Sequence, residues 1–139
     1  MADDFQEKVV TFTTENGETF VLPEDPQALC YDKLPRSLKK KPERLLRILN
    51  MFVESSQNFQ DQLHESLEEA STEKLAFVSH SYKGACGNLA LRDLYEKLQK
   101  MESDAKANHL PDPAFIDAFQ ASYQLAFQEI QKTIVLNQH

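Results

Sequence analysis

From Pro42 to the C-terminus the chain repeats one pattern, apolar side chains three and four positions apart with polar residues between them. That spacing lays an apolar stripe along one face of a helix. A stripe of that kind must be buried against another element, so the pattern commits the chain to helices packed on helices. Leu45, Leu49, Phe52, Phe59, Leu63, Leu67 and Ala70 form the first stripe, opened by Pro42, whose missing N–H costs nothing in a first turn. Ser71-Thr72-Glu73 reads as a stop followed by a new cap, and a second helix is predicted from about Thr72 into the Gly87-Asn88 region. The third stripe is Leu91, Leu94, Tyr95, Leu98, Met101 and Ala105, ending near Asn108. Asp112-Pro113, an N-cap residue followed by proline, starts a last helix that buries Phe115, Phe119, Tyr123, Ala126, Phe127, Ile130 and Ile134. Four such helices joined by short loops predict an all-α fold, an antiparallel four-helix bundle over residues 29–139.

Residues 1–28 read differently. Val9-Val10-Thr11-Phe12-Thr13-Thr14 and Thr19-Phe20-Val21-Leu22 are β-prone, and Glu15-Asn16-Gly17-Glu18 between them carries an Asn-Gly turn signal. The expectation is an N-terminal arm, either a short hairpin or an extended segment, with Pro23, Pro26 and Pro35 punctuating the stretch between it and the first helix.

A length of 139 residues suits one domain with one core. The net charge of −7 argues against nucleic acid as a partner. The basic stretch Lys33, Arg36, Lys39, Lys40, Lys41, Arg44 and Arg47 reads either as a solvated helix start or as a rim that steers an acidic partner. Cys30 and Cys86 lie far apart without a metal-binding spacing, and no Glu precedes any of the four histidines by three residues, so no metal site is expected. No apolar run approaches the roughly 20 residues that span a bilayer. Met1-Ala2-Asp3-Asp4 lacks a signal-peptide apolar region, so a cytoplasmic protein with no membrane insertion is expected.

The second helix carries the chemistry. At about 100° per residue, Leu75, Val78, Tyr82, Ala85, Cys86 and Leu89 share the core face, while His80, Lys83, Gly84 and Gly87 share a face nearly opposite. Glycine inside a helix costs about 1 kcal/mol relative to alanine, yet two of the three glycines of the chain stand here, beyond the histidine and on its side. They bare a strip on which another protein could come close. Gly87 also reads as a terminator; Gly84 has no such explanation. Lys83 places a cation one turn from the imidazole, suited to a phosphoryl group. Phe77, on the same helix, is the candidate apolar docking contact. As a nucleophile His80 needs a neutral ring, and an exposed imidazole requires no buried base to activate it.

The segment Val78-Ser79-His80-Ser81-Tyr82-Lys83-Gly84-Ala85-Cys86-Gly87-Asn88-Leu89 resembles the motif of histidine-containing phosphotransfer (HPt) domains. That motif runs His, any residue, an apolar residue, Lys, Gly, then small residues and a turn. The likeness extends over roughly residues 29–135. An aromatic is common on the family's preceding helix, where Leu49-Asn50-Met51-Phe52 stands here. Two positions depart from the pattern: Tyr82 where Leu or Ile is usual, and Ala90 where glycine is frequent. The resemblance implies a phosphorelay intermediate with His80 as phosphoacceptor through Nε2, Lys83 assisting the phosphoryl group, and Gly84 opening the docking surface. It implies receiver domains of response regulators or hybrid sensor kinases as partners, with the phosphorylatable aspartate and Mg²⁺ on their side, and a monomeric carrier.

No GxxxxGK[ST] or kinase-type glycine loop is present, so a phosphocarrier without cofactor or kinase machinery is expected. The alternative is a non-catalytic helical adaptor that binds through the same face. Of the other histidines, His64-Glu65 resembles the start of a sensor kinase phosphoacceptor helix but continues as Ser66-Leu67-Glu68, and His109 and His139 read as solvated.

Overall fold

The structure of the protein, a computed structural model, describes residues 9–14, 17–24 and 26–138. The chain forms β1 (Val9–Thr13), β2 (Thr19–Pro23), a 3-10 turn (Tyr31–Lys33), and the helices α1 (Arg36–Lys39), α2 (Pro42–Glu68), α3 (Thr72–Asn88), α4 (Arg92–Lys106) and α5 (Pro113–Leu136). The fold is thus mostly helical, with a small antiparallel sheet at its N-terminal end. The 3-10 turn and the short α1 fall in the basic, proline-punctuated stretch ahead of the helical period that starts at Pro42.

Helices α2 to α5 pack as a ring, α3 against α2 and α4, and α5 against α2 and α4. Leu49, Leu75, Cys86, Leu89, Met101, Phe119, Ala126 and Ile130 are fully buried at its centre. Each large apolar side chain buried there contributes roughly 1.5–3 kcal/mol over its exposed state. Tyr82, the unusual residue of the motif, stacks on Phe59 at 3.9 Å between ring centroids. Its hydroxyl lies 3.1 Å from that of Tyr123, which bonds Ser56 in turn, so a phenol sits in the core with its polar end partnered. Burial, first, and then the neighbouring Tyr123 raise the Tyr82 hydroxyl far above its ordinary pKa.

Helices α2, α3 and α4 end in the same way. Ala70, Ala90 and Asn108 adopt φ of +51°, +54° and +63°. In each case the next residue donates back across the turn, Ser71 to Ser66, Leu91 to Cys86 and His109 to Asp104. This is the Schellman closure, which satisfies the last carbonyls and reverses the chain within a few residues. The terminator of α3 is therefore Ala90, in the position where glycine would be unstrained, and Gly87 stays inside the helix. Ala70 correspondingly lies outside the first apolar stripe and is exposed.

The hairpin aligns Val10 with Leu22 and Phe12 with Phe20. Glu15 and Asn16 of the predicted turn lie outside the described residues; Gly17 has φ +82°, a conformation that suits glycine. Two strands alone are marginal in water, and here the bundle holds them. Phe20 and Leu22 enter the core. The Asn137 side chain, just past the end of α5, accepts from Val21 N–H at 2.8 Å and donates to Val21 C=O at 2.7 Å. The Glu129 carboxylate accepts from the backbone N–H groups of Gln27, Ala28 and Leu29.

Candidate functional site

Helix α3 begins where the Ser71 hydroxyl accepts from Lys74 N–H at 3.1 Å, the capping geometry expected of serine before a helix. Leu75, Val78, Tyr82 and Cys86 then face the core, joined by Ser79. The opposite face is open. The His80 side chain is 69% exposed, and Gly84 and Gly87 are exposed along the same strip. A Cβ at Gly84 would meet nothing within 4 Å, so no contact among the described residues calls for glycine there. At Gly87 a Cβ would touch the Tyr95 ring at 3.4 Å. Phe77 is 71% exposed one turn before the histidine.

Lys83 departs from its expected place in open solvent. Its ammonium folds down onto α4, donating to Gln99 Oε1 and Glu102 Oε1, each at 2.7 Å, and only 16% of the side chain is exposed. It also sits 5.8 Å from the centroid of Tyr95. Tyr95, expected on the buried face of its helix, instead lies partly exposed between Lys83 and Gly87.

Glu102 organises the site. Its side chain is 4% exposed, and it accepts from His80 Nδ1 at 2.9 Å, Lys83 Nζ at 2.7 Å and Lys106 Nζ at 2.9 Å. Burial pushes its carboxyl pKa up, but hydrogen bonds from Lys83, Lys106 and His80 outweigh burial and hold it at about 2. A buried carboxylate therefore stands behind the imidazole, a partner that the sequence reading did not require. An ionised carboxylate only accepts, so Nδ1 carries the proton, and a neutral ring keeps its lone pair on Nε2.

The sequence pattern alone did not single out Glu102, Gln99 or Lys106. A signal for Glu102 was present: it is four residues after Leu98 and three before Ala105, a charge inside an apolar stripe with a lysine at i+4. Among the described residues, the other histidines gather no comparable set. His64 pairs with Glu68 at 3.0 Å on an exposed surface. His109 is exposed, and His139 lies outside the described residues. Among the described residues no three or more His, Cys, Asp or Glu are placed to hold a metal ion, and no helix is long and apolar enough to cross a membrane.

The family model described as the Hpt domain matches residues 47–131, which include α3 with His80 and α4 with Glu102. Among solved structures, the chain is similar to histidine-containing phosphotransfer protein B of Pseudomonas aeruginosa PAO1. The two share 19% identity and a TM-score of 0.67, over 73% of this chain and 90% of that one. At that identity the likeness speaks for the fold. Among curated proteins none matches the sequence.

Proposed function

Because the chain belongs to the Hpt domain family, and histidine phosphotransfer in phosphorelay signalling is therefore its function, we propose that His80 is the side chain that carries the phosphoryl group. The observation that carries this assignment is the hydrogen bond from His80 Nδ1 to buried Glu102. It anchors the ring at one nitrogen and leaves Nε2 as the free nucleophile on an exposed helix face.

The partner is a receiver domain phosphorylated on aspartate. The Nε2 lone pair attacks phosphorus as the P–O bond to the receiver aspartate breaks, and the carboxylate leaves with the electron pair. The Nδ1 proton stays on the ring, which becomes an imidazolium facing Glu102. Reversal of the same step passes the group to a second receiver. Such transfer needs in-line placement and charge neutralisation more than covalent machinery. The Mg²⁺ that neutralises the aspartyl phosphate belongs to the receiver. Phe77, Gly84 and Gly87 form the surface on which the receiver sits, with the glycines keeping it flat and Phe77 supplying apolar contact. The chain acts as a phosphocarrier and not as a kinase.

An H80A protein tests the assignment. It should keep the circular dichroism spectrum of the parent, since the ring lies mostly in solvent, and should take no label from any phosphorylated receiver that labels the parent. A labelled H80A protein would move the phosphoacceptor elsewhere.

A further inference from the structure

Two donors meet on one oxygen of Glu102: His80 Nδ1 and Lys106 Nζ each lie 2.9 Å from Oε2. Donors that share an acceptor lie within about 6 Å of each other. The two lysines of the site are held differently. Lys83 is pinned by both Glu102 and Gln99 and is 16% exposed. Lys106 is 65% exposed and pairs with Glu102 alone among the described residues. Only the lysine end of that pair lies in solvent, so the Lys106 ammonium keeps its hydration when it swings away from Glu102.

Charge points the same way. With a neutral ring, one carboxylate and two ammonium groups leave the cluster with a single positive charge. Transfer adds a PO₃ unit carrying one net negative charge, divided between a ring that turns cationic and a phosphoryl group that is doubly anionic. The cluster then ends neutral only if both lysines are counted, and of the two Lys106 is the one not also held by Gln99.

We propose that Lys106 is a catalytic cation for this phosphotransfer. It leaves Glu102 Oε2 as the group arrives on His80 Nε2 and pairs with the phosphoryl oxygens. Lys83 remains on Glu102 as a positioning residue that keeps the carboxylate, and through it the ring, in place. This division of labour rests on the reading of His80 as phosphoacceptor, and it differs from the role that the motif resemblance gives Lys83.

The test uses a small phosphoramidate donor, which needs no docking surface, on the full chain and its K106Q, K106R and K83Q forms. Labelling of His80 is followed by ³¹P NMR, and the ring tautomer by ¹⁵N NMR. K106Q should label roughly tenfold more slowly than the parent with its Nδ1–H tautomer unchanged, and K106R should recover most of the rate. K83Q should disturb the tautomer. Labelling of K106Q at the parental rate, or slowing that comes only with a shifted tautomer, would overturn the role of Lys106 and leave that of His80 standing. A parent protein that takes label from neither phosphoramidate nor phosphorylated receivers would overturn both.

Discussion

His80 and Glu102 join two helices through one 2.9 Å hydrogen bond, between a ring that is 69% exposed and a carboxylate that is 4% exposed. One nitrogen of the ring is thereby fixed from inside the bundle while the other faces solvent. An exposed histidine ordinarily samples both tautomers and several rotamers. This one is held in a single state before a partner arrives, which is the preorganisation that an in-line transfer rewards.

Removing the anchor should therefore cost rate without removing the nucleophile. In an E102A protein the ring is freed and the Nδ1–H tautomer should lose its excess in ¹⁵N NMR spectra. Transfer from a phosphorylated receiver should slow about tenfold, equivalent to about 1.4 kcal/mol in the barrier. An unchanged tautomer in E102A would mean that the bond does not set the state of the ring.

The depressed carboxyl of Glu102 also makes stability depend on pH. Its pKa falls from the ordinary 4.5 to about 2 in the folded protein, so over that interval the unfolded chain binds the proton first. The stabilisation is complete above about 4.5 and is lost as pH falls through about 2. The melting temperature of the parent should exceed that of E102Q at pH 6, and the gap should close on the way down to pH 2. A gap of constant size across that range would contradict the ionised, hydrogen-bonded carboxylate.

Substitutions at Gly84 should separate folding from docking. Because a Cβ there meets nothing within 4 Å, G84A should be more stable than the parent by up to about 1 kcal/mol, the helix preference of alanine. A bulkier G84L should fold as well, yet stand proud of the strip and slow transfer from a receiver. Phosphoramidate, which needs no flat surface, should label it at the parental rate. Loss of stability in G84A, measured by urea denaturation, would assign the glycine to packing.

Ala90 offers a test of the helix terminations. At φ +54° alanine is strained, and glycine is not. A90G should raise stability by roughly 0.5–1 kcal/mol, read from the urea midpoint with an unchanged slope. A destabilised A90G protein would place the cause in helix propensity instead.

Much of this fold was legible because its signals are periodic and local. The stripes, the Ser71 cap and the Asp112-Pro113 start depend on residues within a turn or two of each other, and α3 and α5 begin where those signals stand. The open face of His80 came from the same periodicity. Glu102 did not, because its partners His80 and Lys83 belong to a different helix, about twenty residues away, and only packing brings them together. For the same reason the wheel sent Lys83 outward: it places the Cα of a lysine but not the end of a long side chain. Gly87 was ambiguous between a terminator and a bare surface because glycine serves both. The backbone assigns termination to Ala90.

The most direct measurement of the central claim is long-range ¹H–¹⁵N NMR on protein phosphorylated by a receiver. The phosphoryl group should reside on Nε2 of His80, with Nδ1 protonated and facing Glu102. A phosphoryl group on Nδ1, or on any other residue, would contradict it.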